Sequence, residues 1–469
     1  MDGLKCCEVM FSSILTATDY FRLESEYFNA KTFSFPRMIK GSAVINGVQY
    51  GTSKLCDESS DGYPVLRLNE LHNGFIDKPQ KYCHILTNLE YKSLCLKEGD
   101  VVIIRTNGNP DLVGRAAVVM EDSNYAFASY LYRIFPNGQL NPYTIVAFLS
   151  SKYGRMEINK NSMKGNQTNF SSSKFRELNL PLFGEDFKNK IKAIFKNAYI
   201  YRCNSDELYS KANDILMRSL NFVPSSFSTE GTTEKSLSES FGSTGRLDAE
   251  YYQPKYDDLF SVLGKLHTKP LGKIVNIMKS IEPGSEYYGN SGIPFIRVSD
   301  VNVMGIDSPS IKIPKTTVPS IETLYPKKDT ILFSKDGSVG IAYKMEEDIE
   351  AVTSGALLHF RVKNTKEVLP DYLTLVLNSE VVQLQAERDS SGAIIQHWKP
   401  GDIEKVVIPI LSLDVQREIS EKVQESFSLR RQAEKLIQAA IKAVEFAIES
   451  DETTALKWIE ETLHDLEEH

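Results

Sequence analysis

The sequence repeats itself once, and this duplication constrains the fold more than any other feature. Related blocks recur in the same order and at a nearly constant interval in both halves. R-L-E-S-E-Y-F at residues 22–28 returns as R-L-D-A-E-Y-Y at 246–252, and F-R-E-L-N-L-P-L at 175–182 returns as I-E-K-V-V-I-P-I at 403–410. The interval between equivalent blocks is too long for a solenoid of short repeats. It predicts two tandem copies of one domain.

Three further blocks keep the same register between the copies. Residues 64–77 match 294–307, residues 99–114 match 328–340, and residues 140–151 match 369–380. Both copies contain short apolar runs bounded by Gly and Pro, such as VVIIR, AAVVM, TILFS and VVIPI. Runs of this kind are typical of strands. Each copy is therefore predicted to be a mixed sheet domain with some helix.

Each copy ends in a long helical pattern, because after Pro181 and Pro409 the apolar period changes from two to between three and four. The apolar stripes comprise Phe187, Ile191, Phe195, Ala198, Leu208, Ala212, Ile215 and Leu220 in the first copy, and Val415, Ile419, Val423, Phe427, Ala433, Ile437, Ile441, Val444 and Ile448 in the second. A helix of about 35 residues is roughly 50 Å long. A narrow stripe of that length needs a partner helix, so the two helices are predicted to pack against each other.

The predicted fold class is α+β, with two tandem mixed-sheet domains joined by two long antiparallel coiled-coil helices in pseudo-twofold symmetry. The last segment is acidic and carries Leu456, Trp458, Ile459, Leu463 and Leu466 in helical spacing, so its helix either packs on its own core or docks a partner. The predicted segments are domain 1 at 1–182, long helix 1 at 183–220, a Ser/Thr/Gly-rich linker at 221–245, domain 2 at 246–410, long helix 2 at 411–449 and the tail helix at 450–469.

Composition excludes some classes of protein. No apolar run approaches the roughly 20 residues of a membrane span. Six cysteines without a C-x-x-C pair predict free thiols and a cytoplasmic location. The net charge of −8 argues against nucleic acid at first sight, but 14 acidic and 7 basic residues lie in 414–469, so the remainder is nearly neutral. Residues 152–176 hold six basic side chains and one acidic one, and this stretch could follow a phosphate backbone.

Catalytic motifs are weak throughout. N-P-D-L at 109–112 lacks the second proline and the aromatic of a methyltransferase tetrad, and F-G-S-T-G at 241–245 lies in the linker rather than after a strand. Asp77 with E-Y-K at 90–92 has the composition of a magnesium site or of solvated surface charge. The glycine loops lack the G-K-[ST] ending of a P-loop, and the seven histidines show no metal-ligand spacing. A catalytic function is therefore not predicted.

Three sets of residues are candidates for contact with DNA. The glycine loops at 105–114 and 334–340 are either tight turns between strands or turns whose Arg, Asn and Lys side chains meet base edges. Arg67 and Arg297 occupy equivalent places and either form ion pairs with Glu70 and Asp300 or contact the DNA backbone. The amide-rich segments 164–169 and 390–398 suit groove reading or are polar loops.

The predicted DNA-binding residues are Arg67, Asn69, Arg105, Asn107, Lys164, Asn166, Gln167, Asn169, Arg297, Ser299, Lys335, Ser338, Gln396 and His397.

These motifs resemble the specificity (S) subunits of type I restriction-modification systems. The resemblance is carried by R-L-D-A-E-Y-Y at 246, I-P-F-I-R-V-S-D at 293, S-K-D-G-S-V-G at 334, S-S-G-A-I-I-Q-H at 390 and I-P-I-L-S-L-D-V-Q-R-E-I at 408. It covers about residues 20–450 and is stronger in the second copy. The first copy lacks the glutamine that stands at Gln416 in the second, and its residues 62–77 match less closely.

The resemblance implies a DNA-reading subunit without catalysis or cofactor of its own. Its two target-recognition domains would each read half of a split site in double-stranded DNA, with the paired helices setting their separation. The expected partners are two modification subunits that use S-adenosylmethionine and two motor-nuclease subunits that use ATP and Mg²⁺. The alternative left open is a protein-protein adaptor of a defence complex that does not touch DNA.

Overall fold

Two compact units divide the chain between them. The computed structural model describes residues 8–17, 23, 25–72, 74–163, 167–228, 232–307, 309–392 and 395–467, without the side chains of residues 16, 17, 26, 225 and 467. Unit 1 comprises Met1–Cys203 with Arg431–His469, and unit 2 comprises Asn204–Arg430.

The helices, in chain order, are α1 (Phe11–Ala17), α2 (Ser25–Phe28), α3 (Asn88–Leu94), α4 (Pro142–Ser150), α5 (Lys152–Asn161), α6 (Ser172–Glu177), α7 (Glu185–Ser219), α8 (Phe241–Thr244), α9 (Pro254–Leu263), α10 (Leu271–Ile274), α11 (Pro370–Asn378), α12 (Glu380–Asp389), α13 (Pro400–Ile403), α14 (Leu413–Glu449) and α15 (Glu452–Glu467).

The strands are β1 (Met38–Lys40), β2 (Ile45–Tyr50), β3 (Tyr63–Leu66), β4 (Tyr82–Cys83), β5 (Val101–Ile104), β6 (Thr106–Asn107), β7 (Ala116–Val118), β8 (Ala126–Phe127), β9 (Leu131–Pro136), β10 (Thr168–Asn169), β11 (Asn179–Pro181), β12 (Thr268–Pro270), β13 (Val275–Lys279), β14 (Ile293–Ile296), β15 (Val301–Asn302), β16 (Gly305–Ile306), β17 (Lys312–Ile313), β18 (Ile331–Ser334), β19 (Asp336–Gly337), β20 (Ala342–Lys344), β21 (Val352–Thr353), β22 (Leu357–Val362), β23 (Gln396–His397) and β24 (Val407–Pro409).

Both units have the same sheet topology. Unit 1 contains an antiparallel sheet in the order β2-β9-β5-β7, a mixed sheet in the order β4-β3-β8, and the pairs β1-β11 and β6-β10. Unit 2 repeats this plan with β13-β22-β18-β20, β17-β14-β21, β12-β24 and β19-β23, and adds the hairpin β15-β16. In each mixed sheet one neighbour of the middle strand is antiparallel and the other parallel. The predicted duplication and α+β class are confirmed.

The apolar residues of the run VVIIR form β5, which is buried on both faces because the unit has a core on each side of it. Val101 and Ile103 of β5 point to the core that contains α4, whereas Val102 and Ile104 point to a second core under β3 and β8. Successive side chains of a strand alternate between faces, so a sheet covered on both sides selects an uninterrupted apolar run. The equivalent β18 divides its side chains between two cores in the same way.

The two long helices contribute to the cores of both units. Residues 185–203 of α7 and 431–449 of α14 belong to unit 1, and the remainder of each helix belongs to unit 2. Within unit 2 the helices are antiparallel, because Asp206 pairs with Arg430 at 3.1 Å and the ring of Tyr209 lies 6.3 Å from that of Phe427. The predicted apolar stripes supply buried residues to both cores.

A polar contact holds the beginning of each long helix, although the two copies use different residues. In unit 2 the buried Gln416 donates from Nε2 to the carbonyl of Glu367 at 2.9 Å. In unit 1 Lys188 stands at the equivalent position and donates from Nζ to the carbonyl of Gln139 at 3.3 Å. The glutamine missing from the first copy is therefore replaced by a residue with a similar contact.

The tail helix α15 packs on the core of unit 1. Ala455 and Ile459 are completely buried there, and the ring of Trp458 lies 5.0 Å from that of Phe446. Glu452, its first residue, accepts a hydrogen bond of 2.7 Å from the backbone N–H of Gly184 just before α7. The apolar spacing of this segment thus serves its own unit.

Part of the segment predicted as a linker joins the core of unit 2. Phe222 and Phe227 are buried against each other, with ring centroids 5.2 Å apart in an edge-to-face arrangement. Among the residues described here, no helix is both long and apolar enough to cross a membrane.

Candidate nucleic-acid interface

In unit 1 the structure brings the glycine loop and the amide-rich segment together. Strands β6 and β10 form a two-residue antiparallel ladder in which Thr106 pairs with Asn169 and Asn107 with Thr168. Asn169 also donates from Nδ2 to Oγ1 of Thr106 at 2.9 Å. We call this element, residues 105–107 with 167–170, loop pair 1. Two segments that lie far apart in the sequence therefore form one surface feature.

Unit 2 contains the same element with different side chains. Strands β19 and β23 place Asp336 opposite His397 and Gly337 opposite Gln396. Nδ1 of His397 lies 2.9 Å from Oδ1 of Asp336, at the register position of the Asn169–Thr106 contact. We call residues 335–338 with 395–398 loop pair 2. The backbone arrangement is shared, whereas the exposed chemistry differs.

A buried aromatic residue anchors each loop pair. Phe170 and Trp398 follow the amide-rich strands and lie in the cores of their units. The backbone N–H of Phe170 donates to the carbonyl of Arg105, and that of Trp398 donates to the carbonyl of Lys335, each at 2.8 Å. The polar tips are therefore presented from a fixed base, which is what precise recognition requires.

Each glycine loop closes at a glycine that no other residue could replace without strain. Gly114 and Gly340 have φ of 77° and 88°, a region that glycine adopts without penalty. An added Cβ would lie 2.7 Å from the side chain of Ile158 at the first position and 2.8 Å from that of Gln383 at the second. The loops are tight turns after strands, and this turn brings their polar residues to the paired segment.

The predicted loop residues of unit 1 have contacts within the protein. The guanidinium of Arg105 lies 5.2 Å from the ring centroid of Tyr50, and its Nη1 donates to the carbonyl of Ser129 at 3.4 Å. Oδ1 of Asn107 accepts from the backbone N–H of Asn109 at 2.8 Å, which shapes the turn. Both side chains are half-buried. Contact of these residues with DNA remains a prediction.

In unit 2 the ammonium group of Lys335 forms an ion pair with Asp336. Ser338 is exposed at the tip of the turn, and its carbonyl accepts a hydrogen bond from Oγ of Ser334. Gln396 is exposed on β23 beside His397.

Arg67 and Arg297 occupy the same local structure, at the end of a strand and the start of a short 3-10 turn. Their backbone N–H groups donate to the buried carboxylates of Glu70 and Asp300, each at 2.8 Å. The side chains differ: Arg67 donates from Nε to Oη of Tyr130 at 2.7 Å, whereas a terminal nitrogen of Arg297 lies 3.5 Å from Asp300. The ion-pair alternative therefore describes the side chain of Arg297.

Several of the remaining predicted residues lie at the surface. Asn69 and Ser299 are exposed on the equivalent 3-10 turns, and Oγ of Ser299 donates to Asp300 at 3.2 Å. Gln167 is exposed immediately before β10. Lys164 and Asn166 lie outside the described residues.

Much of the positive charge in residues 152–176 has partners inside the protein. Lys152 forms an ion pair with Glu449, and Lys174 is buried 3.7 Å from Glu177. Arg155 donates to the carbonyl of Val113 at 2.7 Å, and its burial lowers the pKa of this guanidinium. The net basicity of this stretch is therefore a poor guide to the surface that DNA would meet.

The residues of the possible magnesium site do not form one. Asp77 pairs with Arg202 and with His72, whereas Glu90 pairs with Lys54 at 2.7 Å. Within the described parts of the chain, no group of three or more His, Cys, Asp and Glu side chains is arranged to hold a metal ion. The surface-charge alternative accounts for these carboxylates.

Sequence reasoning missed the two tyrosines that hold basic side chains in unit 1. Tyr50 packs against Arg105, and Tyr130 accepts the hydrogen bond from Arg67. Neither belongs to a repeated motif, so the duplication gave no signal for them.

Part of this chain matches the model of a known protein family. The type I restriction modification DNA specificity domain matches residues 265–443. The specificity subunit of the type I restriction enzyme EcoKI from Escherichia coli K12 is 21% identical over 415 residues, which cover 86% of this chain and 84% of that protein. The StySPI specificity subunit from Salmonella potsdam is 25% identical over 142 residues, so that match spans 30% of either chain.

Solved structures of specificity subunits are also similar. The S subunit of the type I restriction-modification system from M. genitalium matches 88% of this chain and 94% of its own, with 14% identity and a TM-score of 0.35. The HsdS subunit from Thermoanaerobacter tengcongensis matches 89% and 98%, with 16% identity and a TM-score of 0.29.

Proposed function

We propose that this chain, whose residues 265–443 match the type I restriction modification DNA specificity domain, is a specificity subunit that reads a bipartite site in double-stranded DNA. Each unit would read one half of the site. The observation that carries this proposal is the repeated loop pair. Both units present it from the same scaffold, but with different side chains at matching positions. A shared scaffold with different tips suits two different short target sequences.

The physical case rests on groove dimensions. The major groove of B-DNA admits a two-stranded β-ribbon, and amide, imidazole and guanidinium groups distinguish its base edges. Each loop pair is a two-stranded element. Loop pair 1 carries the amide groups of Asn107, Gln167 and Asn169, and loop pair 2 carries the amide of Gln396 and the imidazole of His397. Arg105 and Lys335 are basic residues that directly precede strands β6 and β19 of the two loop pairs. They are suited to contacts with phosphates that position the protein on DNA.

We further propose that the chemistry belongs to partner subunits. In this proposal two modification subunits methylate DNA with S-adenosylmethionine, and two motor-nuclease subunits use ATP and Mg²⁺. This chain supplies recognition, binds no cofactor and acts in the cytoplasm. Methyl transfer by purified modification subunits should then depend on adding this chain, and the chain alone should transfer no methyl groups. Methylation by the isolated chain would contradict this division of roles.

Exchange of residues 246–410 for those of another specificity subunit is expected to change one half of the methylated site and to leave the other half intact. The physical reason is that loop pair 2 lies wholly inside this segment, whereas loop pair 1 lies outside it. Sequencing of methylated DNA from cells that carry the partner subunits measures both halves. Exchange of residues 1–182 is the matched control and should alter the other half. A change in both halves after either exchange would contradict the modular proposal.

Affinity for DNA is expected to fall steeply with salt, because each neutralised phosphate releases condensed counterions. Between 50 and 200 mM salt, contact with about six phosphates would cost on the order of 10³-fold in affinity. Fluorescence anisotropy with a duplex that contains the mapped site measures this slope. An adaptor that does not touch DNA would show no binding at any salt concentration.

A further inference from the structure

We propose that His397 is a specificity-determining residue of the second half-site and that Asp336 sets its hydrogen-bonding polarity. The inference rests on the proposed function and deepens it. In this arrangement Nε2 of His397 is an acceptor that meets the exocyclic amine of a cytosine or an adenine in the major groove. Asp336 is a positioning residue, which acts on DNA only through His397.

The polarity follows from the contact at the other ring nitrogen. Nδ1 of His397 lies 2.9 Å from Oδ1 of Asp336, and the second oxygen of this carboxylate pairs with Lys335. An ionised carboxylate only accepts hydrogen bonds, so Nδ1 must carry a proton to donate to it. In the neutral ring Nε2 then has no proton and acts as an acceptor. The side chain of His397 is 59% exposed and that of Asp336 21%, so the histidine is the member of the pair that reaches solvent.

The backbone around His397 is fixed on both sides. Its N–H donates to the carbonyl of Ser391 at 2.7 Å, and its own carbonyl accepts from the N–H of Ser391 at 3.0 Å. The next residue, Trp398, is buried with its ring 5.8 Å from that of Phe333. A side chain on such a support loses little conformational freedom when it meets a base, which favours discrimination over general affinity.

The position in unit 1 that is equivalent to His397 carries a different side chain. Asn169 stands where His397 stands in unit 2, and its Nδ2 donates to Oγ1 of Thr106, which takes the place of Asp336. Its backbone is held by the same pair of hydrogen bonds, here with Met163, both at 3.0 Å. Asparagine presents both a donor and an acceptor. The two half-sites should therefore differ at the base pairs that these residues face.

The test measures base discrimination at every position of the mapped site with the full-length chain. His397→Ala is expected to lose about tenfold discrimination, roughly one hydrogen bond, at one base pair of the second half-site. The first half-site should be unchanged. Asn169→Ala is the matched control and should relax one base pair of the first half-site alone. His397→Gln retains an acceptor and should restore part of the discrimination.

Two further arms identify the base and the role of Asp336. Duplexes in which purine replaces adenine, or pyrimidin-2-one replaces cytosine, lack the exocyclic amine. When the replaced base is the one that His397 contacts, wild type should bind the altered duplex more weakly than the natural one. His397→Ala should bind these two duplexes equally well. Asp336→Ala should relax the same base pair, and adding it to His397→Ala should cause no further loss, because residues that act through one contact are not additive.

The possible failures are distinguishable. If wild type binds DNA at both half-sites but His397→Ala keeps its full discrimination, or loses it in both halves, this inference is wrong and the proposed function stands. Loss of all binding by both His397→Ala and His397→Gln would also overturn it, because a specificity contact is local. If wild-type protein shows no preference for any DNA site, the proposed function itself fails.

Discussion

Replacement of Arg133 with methionine is expected to destabilise unit 1 by about 3–5 kcal/mol, the usual cost of leaving one member of a buried ion pair without its partner. Arg133 lies on β9 and is only 6% exposed. Its Nη1 lies 3.0 Å from Oδ2 of Asp100, and its Nε donates to Gln49 at 2.9 Å. In the variant Asp100 would keep its buried position without its counter-charge. Its burial already raises the pKa of this carboxyl.

The measurement is hydrogen exchange of the full-length chain in increasing denaturant, which reports each unit separately. Peptides from β2, β5 and β9 should open at lower denaturant in Arg133→Met, while peptides from unit 2 should not change. Arg176→Met is the control, because Arg176 is exposed in the same unit and surface substitutions usually change stability by less than about 0.5 kcal/mol. Equal effects from the two substitutions would contradict the buried-pair argument.

The contribution of His359 on β22 to the stability of unit 2 is expected to fall by about 3 kcal/mol as the pH falls from 7 to 4. This ring is buried, its Nε2 lies 2.8 Å from Oγ1 of Thr353, and burial lowers the pKa of the histidine to about 4. In the unfolded chain the same side chain takes up a proton near pH 6.5. Between these values the unfolded state binds more protons, so stability falls with decreasing pH. Above the unfolded-state pKa the contribution is fully present.

The part of the pH dependence of stability that is due to His359 is measured by comparing the unfolding free energy of wild type with that of His359→Leu at each pH. Burial raises the pKa of the Asp371 carboxyl in the same unit, so the contribution of Asp371 to stability increases as the pH falls. Both proteins contain Asp371, so its contribution cancels in this comparison. The difference in unfolding free energy between the two proteins should change by about 3 kcal/mol between pH 7 and pH 4. The exposed His267 of the same unit is present in both proteins and does not enter this difference. A constant difference across this range would show that His359 is not the titrating group.

Arg133 and His359 also show where sequence comparison stops. The offset that relates Pro181 to Pro409, applied without change, pairs Arg133 with Arg361. The sheet register instead places Arg133 opposite Val102 and His359 opposite Leu332, on equivalent central strands. Small insertions shift the spacing locally, and only the ladder reveals which residues share a position. That both copies bury a polar side chain there could not be predicted from the sequence.

The backbone of the candidate site was more predictable than its side-chain partners. Glycines and short apolar runs act locally, so the turns and strands around 105 and 335 follow from the sequence. The pairing of each glycine loop with its amide-rich segment depends on the tertiary fold. So does the neutralisation of the basic stretch, since Lys152 pairs with Glu449, the last residue of α14. Net charge in a sequence window carries no information about such distant partners.

The discontinuous composition of unit 1 has a consequence for biogenesis. Unit 2 is one uninterrupted segment of the chain, whereas the core of unit 1 includes Ala440, Val444 and Ile459. During synthesis on the ribosome, all residues of unit 2 are available before residues 431–469 of unit 1 have been made. In a nascent chain that stalls after residue 430, unit 1 would have an incomplete core and would be exposed to chaperones and proteases. Quality control of incomplete chains would therefore act on unit 1, although its amino-terminal part is synthesised first.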